Sequence, residues 1–157
     1  MQYKFSLAKP TDATEILALY QSLIGTPGCA YNSYYPAMED VESDIKNSAL
    51  YTIKNGDAII AAATLNTHEN PCTLHRLSVT PSLQSRGIGK MLLNEVIKIA
   101  RAKHCGGIEM LVSKTNPPAL ALYDKNGFTR CGETSMHGID FYCYEIKFDT
   151  ATEAGPV

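Results

Sequence analysis

Apolar residues in the first part of the chain predict a strand followed by an amphipathic helix. Residues 3–8 alternate as a half-buried strand does, and Pro10 ends the run. Apolar side chains then recur at three- and four-residue spacing until Gly25, which predicts a helix. Asp12, followed three residues later by Glu15, resembles a capping box at the start of that helix.

The next segment predicts a short helix and a hairpin. Residues 39–47 have the pattern of a short acidic helix with a solvated face. Residues 50–53 and 58–65 are typical of strands, and Asn55-Gly56-Asp57 between them is a strong hairpin turn.

The second half of the chain predicts a strand–helix–strand unit. Residues 72–79 form the first strand, and from Gly87 to Lys103 apolar side chains recur at helical spacing. Residues 108–112 are a nearly continuous apolar run, which is typical of a strand buried on both faces. Residues 72–112 therefore predict a βαβ unit.

The remaining pattern predicts one helix and two strands. Asn116-Pro117 starts the helix, with Asn as the N-cap and Pro in the first turn, and Asn126-Gly127 ends it. The strands begin near Phe128 and Ile139.

Composition indicates an ordinary globular chain. It has 157 residues, of which 45% are apolar and 19% charged, and its net charge of −2 gives no sign of a general nucleic-acid binder. No apolar run approaches the length of a membrane span, and the N-terminus lacks the core of a signal peptide. We expect one domain over residues 1–149 and a frayed tail at residues 150–157.

The five cysteines predict packing residues in a reducing compartment. Their number is odd, and no two of them form a Cys-x-x-Cys pair. These features argue against a disulfide framework and against a zinc site. We therefore expect a cytoplasmic protein whose cysteines are buried packing residues.

The candidate chemistry centres on residues 84–90, a loop rich in small residues that opens the long helix. Unblocked backbone N–H groups and the positive end of a helix dipole suit an anion such as a phosphate. Met91 follows Gly89-Lys90 where a P-loop has Ser or Thr, and Leu92 replaces the third glycine of a dinucleotide fingerprint. A tight turn without a ligand is the remaining alternative.

Two motifs resemble those of the GCN5-related N-acetyltransferases, the GNAT family. Gln84-x-x-Gly87-x-Gly89 is similar to the family's cofactor motif, and the run from Asn116 through Tyr123 to Gly127-Phe128 is similar to its later Asn…Tyr…Gly-Phe segment. The specific resemblance covers residues 72–130, and the first half of the chain matches only in its order of elements.

The resemblance implies a mixed α/β fold and acetyl-CoA as co-substrate, without a metal. The implied fold has a mostly antiparallel central sheet with a splayed parallel strand pair and about four helices. Acetyl-CoA would bind between the strands at residues 72–79 and 108–113. The implied cofactor-binding residues are Leu77, Ser78, Val79, Gln84, Ser85, Arg86, Gly87, Ile88, Gly89, Lys90, Asn116 and Tyr123.

Tyr123 and His75 are the implied catalytic residues. Tyr123 stands where the family has its general acid, and a phenol is protonated at neutral pH, although periodicity alone favours a core residue. His75 stands where members often carry a glutamate base; a water chain or no base are the alternatives. Strict alternation places His75 on the same strand face as Leu77 and Val79, unless a bulge re-aims it.

The sequence indicates least about the acceptor substrate. The resemblance implies direct attack by a neutral amine, without a covalent enzyme intermediate. Tyr31, Tyr34 and Tyr35 in an irregular stretch either line the acceptor pocket or cap the core. We expect a small-molecule amine, with a peptide N-terminus second and a non-catalytic acyl-CoA sensor as the rival. We expect no nucleic-acid or membrane partner, and a homodimer is a further expectation because many family members form one.

Overall fold

The protein is built around one seven-stranded sheet. The computed structural model describes residues 2–148. In chain order the elements are β1 (Tyr3–Leu7), α1 (Ala13–Ser22), α2 (Met38–Lys46), β2 (Leu50–Asn55), β3 (Ala58–Asn66), β4 (Cys72–Val79), α3 (Ile88–Ala102), β5 (Gly107–Ser113), α4 (Pro117–Lys125), β6 (Thr129–Met136) and β7 (Ile139–Lys147). The strand order across the sheet is β1-β2-β3-β4-β5-β7-β6.

The sheet is antiparallel except between β4 and β5. That parallel pair joins only Cys72 to Ile108 and Thr73 to Glu109, after which the two strands separate. α3 connects them, as the predicted βαβ unit requires. The predicted fold class, with its splayed parallel pair and four helices, is confirmed.

Helices cover the sheet unevenly and create two apolar cores. The larger core joins α3 and α4 to the sheet, with Leu92, Val96 and Ile108 fully buried. The smaller core joins α1 and α2 to the other face through residues such as Ile16 and Val41. Each such side chain contributes about 1.5–3 kcal/mol on burial, so both cores hold the helices against the sheet.

The helices α1 and α2 pack on β2, β3 and β4 and leave the same face of the later strands open. Leu111 on β5 is consequently 43% exposed. The prediction that this strand is buried on both faces is therefore wrong, because only its α3 side is covered. β6 forms the sheet edge, and all eight of its residues are exposed.

The predicted capping box at α1 is wrong. A 3-10 turn at Pro10–Asp12 precedes the helix, and the Asp12 carboxylate accepts hydrogen bonds from the backbone N–H of Lys9 at 2.9 Å and from Lys54 Nζ at 3.0 Å. Glu15 instead accepts a hydrogen bond from the backbone N–H of Ile59 at 2.8 Å. Asp12 therefore caps the preceding 3-10 turn instead of α1, and Glu15 binds the backbone of β3.

The cysteines also differ from the prediction. Cys72 at the start of β4 and Cys105 just before β5 form a disulfide, with a Cα–Cα distance of 6.0 Å. Cys131 is exposed rather than buried. The expectation of a cytoplasmic location depended on unbonded cysteines, so it loses that support and stays a prediction.

Two further expectations concern the chain ends and membranes. The tail at residues 150–157 lies outside the described residues, and the predicted domain bounds stay a prediction. Among the helices of residues 2–148, none has the length and apolar character needed to cross a membrane.

Candidate active site

The glycine loop, residues 84–90, continues from β4 and leads into α3. Gly87 is the N-cap of α3 with φ of 82°, a left-handed conformation that favours glycine. A Cβ built on Gly87 would meet nothing within 4 Å, so the loop is open to solvent. Buried Ile88 anchors the loop to the larger core, while Arg86 and Lys90 are exposed. The loop thus presents backbone and positive charge outward from a fixed base.

Asn116 lies on the other side of the opening, just after β5. Its side-chain oxygen accepts a hydrogen bond from the backbone N–H of Ala119 at 3.3 Å, which caps α4. The predicted N-cap is confirmed. The opening between β4 and β5 is therefore bordered by two helix starts, those of α3 and α4.

The tyrosine loop, residues 26–37, spans this opening. Gly28 has φ of 78°, and a Cβ there would lie 2.4 Å from the carbonyl oxygen of Thr115, so only glycine fits. Further along, the hydroxyl groups of Tyr31 and Ser78 are 2.9 Å apart and share a hydrogen bond. The loop thus contacts the end of β4 and the start of α4 at once.

The three tyrosines of this loop have different surroundings. Tyr31 packs edge-on against buried Tyr20 at 5.6 Å between ring centroids and caps the smaller core. Tyr34 is 87% exposed. Tyr35 is partly exposed, and its hydroxyl accepts a hydrogen bond from Arg76 Nη1 at 2.6 Å. The core-capping interpretation thus fits Tyr31, whereas Tyr34 and Tyr35 face outward.

A bulge in β4 re-aims the residues before the opening. Ala62 on β3 pairs with Ser78, and Thr64 pairs with His75. Two residues therefore lie between these pairs on β4, but only one lies between them on β3. Arg76 at the bulge has φ of 53°. His75 consequently lines a surface cavity with Asp44 of α2 and Thr64 of β3, whereas Leu77 and Val79 pack against the larger core. The expectation from strict alternation is wrong, because the extra residue moves His75 to the opposite face.

Leu77 and Val79 lie beyond the bulge and face the other way from His75. Both pack against the larger core beneath α3. Ser78 between them is buried and points toward the tyrosine loop. The second half of β4 therefore has one face toward α3 and one toward the tyrosine loop, with its free backbone edge toward the opening.

Arg76 links four elements around the bulge. Its Nη2 lies 2.5 Å from Asp44 Oδ2 on α2, and the same carboxylate oxygen accepts a hydrogen bond from the Thr64 hydroxyl at 2.9 Å. Its Nη1 holds Tyr35. Arg76, Asp44 and Thr64, together with His75 and His68, line a surface cavity of about 240 Å³. This network could not be predicted from the sequence, because nothing in it indicates which strand residue bulges.

The environment of His75 favours its neutral form. Partial desolvation lowers the pKa of His75, and the charge of Arg76 lowers it further, against opposing contributions from Asp44 and Glu69. A neutral imidazole can accept a proton.

Tyr123 is buried on α4 and is a core residue as well as the predicted acid. Its ring packs against Phe128 at 5.5 Å and Tyr144 at 5.9 Å between centroids. Burial raises the pKa of Tyr123 above that of an ordinary phenol, so it keeps its proton at neutral pH. None of the described residues gives its hydroxyl a hydrogen bond, which leaves that donor uncommitted.

A hydrogen-bonded layer behind Tyr123 is a feature that the sequence did not reveal. The Tyr144 hydroxyl donates to Asp124 Oδ1 at 2.9 Å and accepts from Arg130 Nε at 2.8 Å. These contacts fix the ring on which Tyr123 packs. Within residues 2–148, no three His, Cys, Asp or Glu side chains form a group that could hold a metal ion; the expected absence of a metal stays a prediction.

Comparison with known proteins places this geometry in a family. The sequence profile of the acetyltransferase (GNAT) family matches residues 16–128, more than half of the chain. N-alpha-acetyltransferase RimI of Mycobacterium tuberculosis is 45% identical over 60 residues, and streptothricin acetyltransferase of Streptomyces lavendulae is 30% identical over 79 residues. Those segments cover 38% and 50% of this chain but only 35% and 42% of the relatives' lengths.

A third relative and two solved structures complete the comparison. Mycothiol acetyltransferase of Beutenbergia cavernae is 33% identical over 66 residues, which are 42% of this chain and 22% of that protein. The PaiA N-acetyltransferase of Thermoplasma acidophilum, solved with coenzyme A, matches with a TM-score of 0.79 at 20% identity over 94% of this chain and 100% of its own. The ribosomal-protein-S18-alanine N-acetyltransferase of Escherichia coli matches with a TM-score of 0.78 at 18% identity over 93% and 94% of the two chains.

The profile match includes most of α1, the glycine loop and the helix that bears Tyr123. The two structural matches extend the likeness of fold to nearly the whole chain. The chain belongs to the GNAT family of acetyltransferases.

Proposed function

We propose that this protein transfers the acetyl group of acetyl-CoA to the primary amine of a small molecule by direct attack. The observation that carries the proposal is the opening between β4 and β5, bordered by the glycine loop on one side and by Asn116 on the other. When bound, the thioester of acetyl-CoA supplies an activated acetyl group.

The residues at the opening fit such a co-substrate. After Thr73 the second half of β4 has no pairing with β5, so backbone groups of Leu77 and Val79 are placed to pair with an extended pantetheine arm. The exposed N–H groups around Gly87 suit the pyrophosphate, with Arg86 and Lys90 adding positive charge. Asn116 would border the arm from the β5 side.

Tyr123 would donate the proton that the leaving thiolate needs. Burial keeps the phenol protonated, and no described residue competes for its hydroxyl hydrogen. Packing against Phe128 and Tyr144 holds the ring in one orientation. A positioned general acid of this kind contributes typically about 10²–10⁴-fold to the rate.

His75 would take the proton that the attacking amine loses, either directly or through water. The bulge turns it toward the tyrosine-loop side of β4, the side from which we expect the amine to approach. Its neutral form dominates at pH 7. The chain's own residues thus supply an acid on α4 and a base on β4.

The acceptor site would lie beneath the tyrosine loop. Arg76 fixes Tyr35 over the bulge, and the hydrogen bond between Tyr31 and Ser78 fixes the loop to β4. Relatives named mycothiol acetyltransferase and streptothricin acetyltransferase support a small-molecule acceptor. The likeness to N-alpha-acetyltransferase RimI makes a protein N-terminus the second candidate.

We predict that Tyr123→Phe keeps acetyl-CoA binding but lowers kcat by about 10²-fold, because it removes only the acidic hydroxyl. The measurement is release of free CoA across a panel of amines, polyamines, amino acids and short peptides. Tyr142→Phe, which removes a phenol from the neighbouring strand β7, is the control and should keep its rate. Unchanged turnover in Tyr123→Phe would contradict the role of Tyr123 as general acid. If the wild type binds acetyl-CoA tightly but acetylates none of the amines, the protein is an acyl-CoA sensor.

We predict that the His75 imidazole titrates below pH 6.5, because desolvation and Arg76 both disfavour its charged form. A base with this pKa loses activity only as the pH falls through that value. NMR titration of the histidine signals, assigned with His75→Gln, measures it. Arg76→Gln should move the midpoint upward, and a wild-type midpoint at or above 6.5 would contradict the prediction.

We predict that Arg76→Lys raises the KM of the best acceptor from the amine panel by about 10-fold, since it loses the hydrogen bond to Tyr35 of the tyrosine loop and the hydrogen bond to Asp44 that orients the side chain. Tyr35→Phe removes one of them and should have a smaller effect. The KM of acetyl-CoA should stay within about 2-fold in both variants and in Arg101→Lys, a control on α3. A parallel rise in both KM values would mean that Arg76 only supports the fold.

A further inference from the structure

Two unbonded cysteines lie side by side on the exposed end of the sheet. Cys131 on β6 and Cys143 on β7 have their Sγ atoms 2.8 Å apart. Neither takes part in the Cys72–Cys105 disulfide. Nothing in the proposed acetyl transfer uses this pair.

A second β-bulge brings the two sulfurs together. Arg130 pairs with Tyr144 and Gly132 pairs with Cys143, so Cys131 is the extra residue on β6. Gly132, which stands opposite Cys143, has no side chain. Cys131 is therefore the β6 side chain that meets the Cys143 sulfur.

The pair is accessible to small reagents. Cys131 is exposed and Cys143 is partly exposed, and all eight residues of β6 are exposed at the sheet edge. The main contacts of α1 and α2 with the sheet are on β2, β3 and β4, at the other end from β6 and β7.

The surroundings of the pair favour the protonated thiol of Cys131. Desolvation raises the pKa of the Cys131 thiol, as do the Cys143 thiol and the carboxylates of Glu145 and Glu109. The thiolate is the reactive species in exchange with disulfides, so the raised pKa slows this exchange near neutral pH.

We propose that Cys131 and Cys143 are a reversible dithiol–disulfide pair, closed by exchange with a low-molecular-weight disulfide. The sulfur atoms need to approach only from 2.8 Å to the bond length of about 2.05 Å. The proposal does not depend on the proposed acetyl transfer.

The exchange occurs in two balanced steps. The thiolate of Cys131 attacks one sulfur of the oxidant, forms a mixed disulfide and releases one thiolate, which takes up the proton that Cys131 lost. The thiolate of Cys143 then attacks Cys131 Sγ and releases the second small thiol. The protein gives up two electrons and two protons, and one disulfide is reduced to two thiols.

The new bond would join the edge strand to the rest of the sheet. Within residues 2–148, β6 pairs only with β7, and the bond would close the segment between residues 131 and 143. It would lie next to Arg130 and Tyr144, the hydrogen-bonded pair behind Tyr123. We expect the protein with the Cys131–Cys143 bond to melt roughly 5 °C higher than the protein with both thiols reduced, because the cross-link restricts the unfolded chain.

The test treats the full chain, with its Cys72–Cys105 disulfide intact, with glutathione disulfide at mildly alkaline pH. Free thiols are counted after acid quenching and denaturation, and non-reducing peptide mass spectrometry locates the bonds. We expect the three free thiols, Cys29, Cys131 and Cys143, to fall to one, with a 131–143 cross-linked peptide and the higher melting temperature.

Single variants provide the controls. Cys29→Ser should fall from two free thiols to none, whereas Cys131→Ser should form no internal bond and show no melting shift. If Cys131→Ser does not fold, Cys143→Ser serves as the control in its place. Three results would each overturn the proposal. They are separate glutathione adducts on Cys131 and Cys143, persistence of the Cys131 and Cys143 thiols after treatment, and a cross-link that includes Cys29.

Discussion

The early separation of β4 and β5 is the constraint on which the rest of the site depends. Only two residue pairs form before the parallel strands diverge, so the second half of β4 has an edge that needs an extended partner. The glycine loop continues from β4 and α4 begins just after β5, which places both helix starts beside the opening. The fold therefore leaves an unpaired strand edge beside two helix starts before any side chain contributes, and our proposal assigns this opening to acetyl-CoA.

The bulge at Arg76 determines the chemistry on the other side of β4. One extra residue turns His75 away from Leu77 and Val79, and it points the Arg76 guanidinium toward α2 and the tyrosine loop. Gly28, which tolerates no side chain against Thr115, fixes the same loop from the α4 side. The opening and the loop over it are thus held by a few polar contacts and one close backbone approach.

Periodicity and turn residues were enough to predict every helix and strand and the parallel pair, because these depend on local spacing of apolar side chains. The roles of Gly87 and of the Asn116 cap could also be predicted from the sequence, since each residue satisfies a local backbone requirement. A bulge was an open alternative for His75, but its position, the Asp44–Arg76–Tyr35 network and the Cys72–Cys105 bond could not be predicted, because they depend on residues that are distant in sequence. The failed capping box at Asp12 has the same cause: Lys54 and Ile59, far along the chain, take the carboxylates of Asp12 and Glu15.

The most direct measurement of the central claim is calorimetric titration of acetyl-CoA into the wild type, Gly87→Val and Gly138→Val. Both glycines have left-handed φ angles, 82° and 78°, and open space around their Cβ positions, so both substitutions strain the backbone alike. Only Gly87 lies in the glycine loop. We predict binding by the wild type, retained in Gly138→Val and weakened at least about 10-fold in Gly87→Val, a difference of about 1.4 kcal/mol. No binding by the wild type, or equal binding by the two variants, would contradict a phosphate-holding role for this loop.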